Sequence, residues 1–222
     1  MKKQEESTTD RMSLNVHAVT YNLAGKAPKD CDDSDLKLML KTDEAKVDFY
    51  VVGLQEVIPL DISSAGLMVY GESERYLQWR ERLHRVVGRD EYRCLIDKSM
   101  FGLYMVVFAH VVHAPHAHHV RTESLGVGLF GVGGNKGAVA VRFGLYHSTL
   151  CFINCHLAAH QEEIQMRNSD FKSIYTNLRF NIVDPVSRPA PGVDGAGEAD
   201  DEPEEPTSPT GTTVLLCCVL RE

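Results

Sequence analysis

Gly131-Val132-Gly133-Gly134-Asn135-Lys136-Gly137-Ala138-Val139 and, further on, Asn154-Cys155-His156-Leu157-Ala158-Ala159-His160 are the two stretches on which the reading of this 222-residue chain turns. Each sets polar residues beside an apolar run of strand character, residues 138–143 in the first case and 149–154 in the second. Asn135 and Lys136 bring hydrogen-bond donors and a positive charge. The glycines around them let a backbone approach a charged ligand closely. His156 and His160 add two titratable rings, one at the end of a strand and one a turn beyond it. Donors, a cation and imidazoles at one edge of a sheet point to a site for a phosphate ester.

Outward from these stretches, strands and helices mix. Residues 14–21 read as a strand ending at Asn22. Residues 33–46 have helical character, with Leu36, Leu38, Met39 and Leu40 as apolar contacts. Residues 48–54 are a nearly continuous apolar run, which predicts a strand buried on both faces and ending at Gln55-Glu56. Residues 74–87 read as a helix with Tyr76, Leu83 and Val86 inward and Arg82, Arg85 and Arg89 on a solvated face. Residues 92–96 and 103–112 read as strands. Residues 161–180 read as an amphipathic helix on Ile164, Phe171, Ile174 and Leu178. At least six strands with interspersed helices give an α/β or α+β class, a sheet packed against helices.

The net charge of -8 is unevenly placed. From Asn181 onward there are nine acids and two bases, so the first 180 residues are nearly neutral. That is no basic footprint for nucleic acid. Six of the nine prolines fall at 185–209 and seven acids at 194–205, a composition that predicts a disordered segment. The polar N-terminus has no apolar signal core, and the longest apolar run, 100–112, is too short to span a bilayer as a helix. No two cysteines form a CxxC pair. Cys151 and Cys155, four apart on a strand, share a face as buried thiols. The expectation is a cytoplasmic protein with reduced cysteines.

Three strand ends carry the same signature: Asn22 after Val19-Thr20-Tyr21, Glu56 after Val52-Gly53-Leu54-Gln55, and His156 after Phe152-Ile153-Asn154-Cys155. Polar groups at one end of several strands converge if the strands share a sheet. A carboxylate and an amide oxygen are hard ligands of the kind Mg²⁺ prefers, alongside water and substrate phosphate.

Thr20-Tyr21-Asn22, Gly53-Leu54-Gln55-Glu56, Gly134-Asn135-Lys136-Gly137-Ala138-Val139-Ala140-Val141-Arg142-Phe143 and Asn154-Cys155-His156-Leu157-Ala158-Ala159-His160, in that order and spacing, resemble the inositol polyphosphate 5-phosphatases of the DNase I-like superfamily. Arg167-Asn168-Ser169-Asp170-Phe171 resembles the helix that follows their histidine motif. The resemblance covers about residues 14–180. It implies a four-layer α/β sandwich, two sheets flanked by helices. It implies Mg²⁺-dependent removal of the 5-phosphate from phosphoinositides or soluble inositol phosphates, with the membrane surface reached through the lipid substrate. In that reading Glu56 is a metal ligand with Asn22 in or next to the metal shell, and His156 contacts the scissile phosphate. Asn135 and Lys136 line the substrate pocket, and His160 lies behind them.

The same resemblance implies three later motifs: Trp-x-Gly-Asp-x-Asn, Pro-Ala/Ser-Trp-x-Asp-Arg and Ser-Asp-His. None occurs in these 222 residues, where the one tryptophan is Trp79. The expectation is therefore residues 1–13 as a disordered N-terminus and 14–180 as the N-terminal half of a catalytic domain. Residues 181–213 are an acidic, Pro-rich insert or tail, and 214–222 a short apolar end where the next core strand would begin. Such a chain has little turnover by itself. The alternatives are a non-catalytic product that binds a phosphoinositide or a protein, and another phosphodiesterase of the superfamily. The tract His113-Ala114-Pro115-His116-Ala117-His118-His119 joins two strands without a cysteine or carboxylate, and reads as a connection rather than a metal site.

Overall fold

The computed structural model describes residues 12–44, 46–58, 71–127, 136–180 and 212–219, with backbone alone at 71–73 and 212–219. The elements run β1 (Val16–Asn22), α1 (Asp33–Leu40), β2 (Phe49–Gln55), α2 (Gly71–Val87), β3 (Tyr92–Met100), β4 (Leu103–His110), β5 (Ala117–Gly126), β6 (Gly137–Leu145), β7 (Ser148–His156), α3 (Ile164–Asn177) and β8 (Thr212–Val219). They form two four-stranded sheets, β1-β2-β4-β3 and β5-β6-β7-β8. The parallel pairs are β1 with β2 and β7 with β8, each joined by a crossover that contains a helix.

Four layers result. Leu36 and Leu40 of α1 and Tyr76, Trp79, Leu83 and Val86 of α2 pack on Tyr50, Val52, Leu54, Tyr104, Val106 and Phe108. The opposite face of that sheet, Phe49, Val51, Met105, Val107 and Ala109, meets Val139, Val141, Phe143, Leu150 and Phe152 of the second sheet. Ile174 of α3 covers Ala138 and Cys155 on the outer side. This is the four-layer α/β sandwich. Every residue of β2 and β4 is buried, because both faces of their sheet are covered, and so their sequences run apolar without alternation.

Several local expectations are corrected. β5 went unread because its sequence, AHHVRTESLG, is polar and only half-buried; it pairs with β6 through a register shift between His118 and Arg121. Tyr92-to-Ile96 extends to Met100. The first helix stops at Leu40, where Lys41 turns into the left-handed region at φ 53°. α3 is shorter than 161–180, and of the four apolar positions on it Ile164 (56% exposed) and Phe171 (41%) face solvent. Arg82 is not on a solvated face: its guanidinium pairs with Asp33 at 2.8 Å and donates to the Cys31 carbonyl, which ties α2 to α1. The apolar end forms β8, in parallel register with β7 from Thr149↔Thr212 to His156↔Val219. The 1–11 and 181–211 segments, and the disorder expected of them, lie outside the described residues.

Cys151 and Cys155 are both buried on the outward face of β7, in no disulfide. In the histidine tract, His113 joins Asp48 (3.1 Å) and the Tyr146 hydroxyl (2.9 Å). No group of three or more metal-binding side chains occurs among the described residues.

Candidate active site

β1 and β2 are parallel, so Asn22 and Glu56 leave their sheet at the same end. In the second sheet Gly137 pairs with His156, which places Lys136, just before β6, beside the end of β7. The two ends meet. Asn22 Nδ2 donates to Glu56 Oε1 at 2.9 Å, and the same Glu56 oxygen lies 3.6 Å from His156 Nε2. Lys136 Nζ lies 2.7 Å from His156 Nε2. Asn22, Glu56, His156 and Lys136 thus form one continuous chain of polar contacts that crosses from one sheet to the other.

The Glu56 backbone sits in the left-handed region at φ 49°, unusual for a residue with a side chain. It is held from both sides: Gly25 N–H donates to the Glu56 carbonyl at 2.8 Å, and Val57 N–H donates to the Gly102 carbonyl at 3.0 Å. This sharp turn directly after β2 swings the carboxylate over the strand end instead of into the sheet.

The Asn22 amide is oriented without ambiguity. Its oxygen accepts from Ala24 N–H at 2.9 Å, so its NH₂ must face Glu56. As arranged, Asn22 orients the carboxylate. Glu56 Oε2, with no hydrogen bond among the described residues, is the oxygen placed to ligate. A partly exposed carboxylate with one oxygen so placed fits Mg²⁺, which binds through one or two carboxylates and retains waters.

Lys136 is half-buried, and that desolvation lowers its pKa against the opposing pull of Glu56 and Asp170. The Lys136 Nζ and His156 Nε2 share a hydrogen bond in which an ammonium donates to the ring nitrogen. Because the folded pKa is depressed, the charged lysine disfavours the fold at neutral pH, and stability rises as pH climbs through the folded value towards that of a free lysine. Lys136→Met is accordingly expected to raise the thermal midpoint at pH 7, measured by circular dichroism, rather than lower it.

Two residues with no role assigned from sequence fasten this corner. Asp170, on α3 and 8% exposed, accepts from Ala158 N–H at 2.9 Å; its carboxyl pKa is raised by burial and moderated by that hydrogen bond and by Lys136. Arg167 donates to the carbonyls of Ala158, His160 and Gln161. Together they hold the loop that leaves His156. A buried carboxylate three residues after an arginine was the available signal. His160 stands apart from the chain of contacts: the residue is exposed, its backbone is at φ 73°, and its carbonyl is what Arg167 grips. Asn135 lies outside the described residues.

Residues 19–201 match the Endonuclease/Exonuclease/phosphatase family 2. The chain is 31% identical over 188 residues to the type II inositol 1,4,5-trisphosphate 5-phosphatase of Mus musculus, covering 84% of this chain and 18% of that protein. It is 31% identical over 196 residues to the type IV inositol polyphosphate 5-phosphatase 9 of Arabidopsis thaliana, covering 78% of this chain and 46% of the relative. Its fold matches the crystal structure of the inositol polyphosphate 5-phosphatase domain of SPsynaptojanin, in complex with inositol (1,4)-bisphosphate and calcium ion. That match has a TM-score of 0.63 and 27% identity over 76% of this chain and 47% of that one. The chain thus spans less than half the length of these relatives. On its strand-end motifs, its four-layer sandwich and the family match over most of its length, the chain belongs to the Endonuclease/Exonuclease/phosphatase family 2.

Proposed function

We propose that this chain carries the metal-carboxylate and phosphate-contacting half of a Mg²⁺-dependent site that removes the 5-phosphate from inositol polyphosphates or phosphoinositides. The observation that supports this best is the contact chain Asn22–Glu56–His156–Lys136, which brings a carboxylate oxygen, an imidazole and a cation to one sheet edge. Calcium and an inositol bisphosphate in the SPsynaptojanin complex support a metal and an inositol phosphate in sites of this kind. The nearly neutral first 180 residues disfavour a nucleic-acid substrate.

Mg²⁺ at Glu56, when bound, neutralises charge on the phosphoryl and leaving oxygens. Asn22 keeps the carboxylate aimed. Lys136 offers its protons to substrate phosphate oxygens. His156, whose Nε2 is hydrogen-bonded to Lys136, orients that side chain and contacts the scissile phosphate. Asn135 belongs to the substrate wall with Lys136, and His160 lies behind them. The protein acts in the cytoplasm, and at membrane surfaces where its substrate is a lipid.

A second reading is a product that binds an inositol phosphate without turning it over. The measurement that tests the first reading is phosphate release from a 5-phosphorylated inositol, with Mg²⁺ and with EDTA. Expected is release that is slow, EDTA-sensitive and lost in His156→Ala, because groups of a catalytic unit act together. Release insensitive to EDTA contradicts the reading, and fast EDTA-sensitive release contradicts the assignment of essential groups to the later motifs.

Lys136 also sets a pH dependence. Its protonated form binds phosphate and its pKa is lowered. Affinity for an inositol phosphate is expected to fall as pH rises through a value below that of an ordinary lysine, about 10.4. Lys136→Arg extends binding to higher pH; the check is titration calorimetry across the alkaline range. An unchanged profile in Lys136→Arg contradicts the role.

A further inference from the structure

The candidate site spans two sheets. Glu56 belongs to the first, His156 and Lys136 to the second, so the 3.6 Å between Glu56 and His156 is an inter-sheet distance. Between the sheets the contacts are mostly apolar, Phe49 and Val51 against Val141, Phe143 and Phe152. Apolar burial is non-directional and does not by itself fix how far one sheet is offset along the other. Something directional has to set that offset near the site.

Asn154 is placed to do so. It lies on β7 two residues before His156, fully buried, with its side chain turned inward across the sandwich. Its Nδ2 donates to the Leu54 carbonyl at 3.2 Å and to the Tyr104 carbonyl at 3.0 Å, two residues paired with each other on β2 and β4. Its Oδ1 accepts from Gln55 Nε2 at 2.6 Å, and Gln55 also donates to Thr20 Oγ1 on β1 at 3.1 Å. Both amide hydrogens and the oxygen are used, and the partners reach three strands of the facing sheet. The residue after Gln55 is Glu56. Gly53 leaves the room: a Cβ there would lie 2.8 Å from Asn154 Cγ and Oδ1. At the other end of the sandwich His113 bridges Asp48, before β2, to Tyr146, in the turn between β6 and β7. That second bridge is remote from Glu56.

We propose that Asn154, seated against Gly53, is a positioning residue that sets the spacing of Glu56 from His156 and Lys136 by locking the two sheets in one offset. Resting on the phosphatase reading above, this goes beyond it by assigning the site's geometry to a side chain that touches neither metal nor substrate. A buried amide held by two backbone carbonyls and the Gln55 side chain is costly to remove, because those groups then lose a partner.

The test compares Asn154→Leu with Val141→Ala, a control that loosens the same inter-sheet core without touching the amide. The full chain is used, well below each variant's thermal midpoint. The first readout, in EDTA, is the nuclear Overhauser contact between the His156 ring and the Glu56 side chain, which crosses from one sheet to the other. The second is Mn²⁺ affinity by electron paramagnetic resonance. In Asn154→Leu the His156–Glu56 contact is expected to disappear and Mn²⁺ to bind about 10–100-fold more weakly, the range seen when groups behind a metal ligand are removed. Val141→Ala keeps both. Retention of both by Asn154→Leu, or equal loss in Val141→Ala, overturns the proposal. If Asn154→Leu does not fold, Gly53→Ala decides by the same readouts, since its Cβ displaces the amide while every hydrogen-bonding group remains. If the unaltered chain binds no Mn²⁺, the metal reading of Glu56 fails, and the metal-free contact alone decides the role of Asn154.

Discussion

Glu56→Gln is expected to lower the affinity of the chain for Mg²⁺ or Mn²⁺ by about 100-fold or more. The substitution keeps the shape and the oxygen that accepts from Asn22 Nδ2, but removes the charge. Two unit charges 4 Å apart are worth about 4 kcal/mol at the effective dielectric of a protein surface, and each 1.4 kcal/mol is tenfold in affinity. A divalent ion in direct contact loses at least that scale. Asn22→Ala is the graded comparison: it only frees the carboxylate to turn, so a loss of about tenfold is expected. Both variants keep the fold, because neither side chain belongs to the apolar core. Titration calorimetry with circular dichroism alongside checks this. Glu56→Gln binding metal as well as the parent chain would remove Glu56 from the site.

Trp79→Ala is expected to be the most damaging single change to stability. Trp79 is fully buried on α2, among Leu36, Leu40, Leu54, Leu83 and Tyr76. Truncating a buried tryptophan costs about 3–5 kcal/mol, against a total of about 5–15 for a domain. The thermal midpoint should fall by roughly 6–20 °C. Trp79→Phe is expected to lose far less than volume alone suggests, because the indole Nε1 is buried without a hydrogen-bond partner among the described residues and phenylalanine removes that liability. Circular dichroism at increasing temperature measures both. A midpoint for Trp79→Ala within a few degrees of the parent would mean that the α2 layer contributes little to holding β2 and the turn at Glu56.

The central sheet was legible because its chemistry is local. Phe49-Tyr50-Val51-Val52 reads as a strand buried on both faces, and β2 is that strand. Asn22, Glu56 and His156 each stand just past a recognisable strand, so their convergence follows once the strands are paired. β5 was illegible for the opposite reason: its polar residues reflect a half-exposed position, and only β6 makes it a strand. The outward positions of Ile164 and Phe171 on α3 depend on how the helix docks, which periodicity does not contain. Asn154 and Asp170 were visible as residues but not as roles. Most of their partners are backbone groups, Leu54 and Tyr104 carbonyls for one and Ala158 N–H for the other, and backbone groups leave no trace in a sequence. The pocket roles of Lys136 and His160 came from resemblance; Lys136 stands in the contact chain, and His160 stands outside it.

The most direct test of the central claim is titration calorimetry of the chain with two inositol polyphosphates that differ only in the 5-phosphate, each in excess Mg²⁺ and in EDTA. The account predicts tighter binding of the 5-phosphorylated compound, a preference that requires Mg²⁺ and is lost in Glu56→Gln and His156→Ala. Equal affinity for the two compounds, or a preference that persists in EDTA, would contradict it.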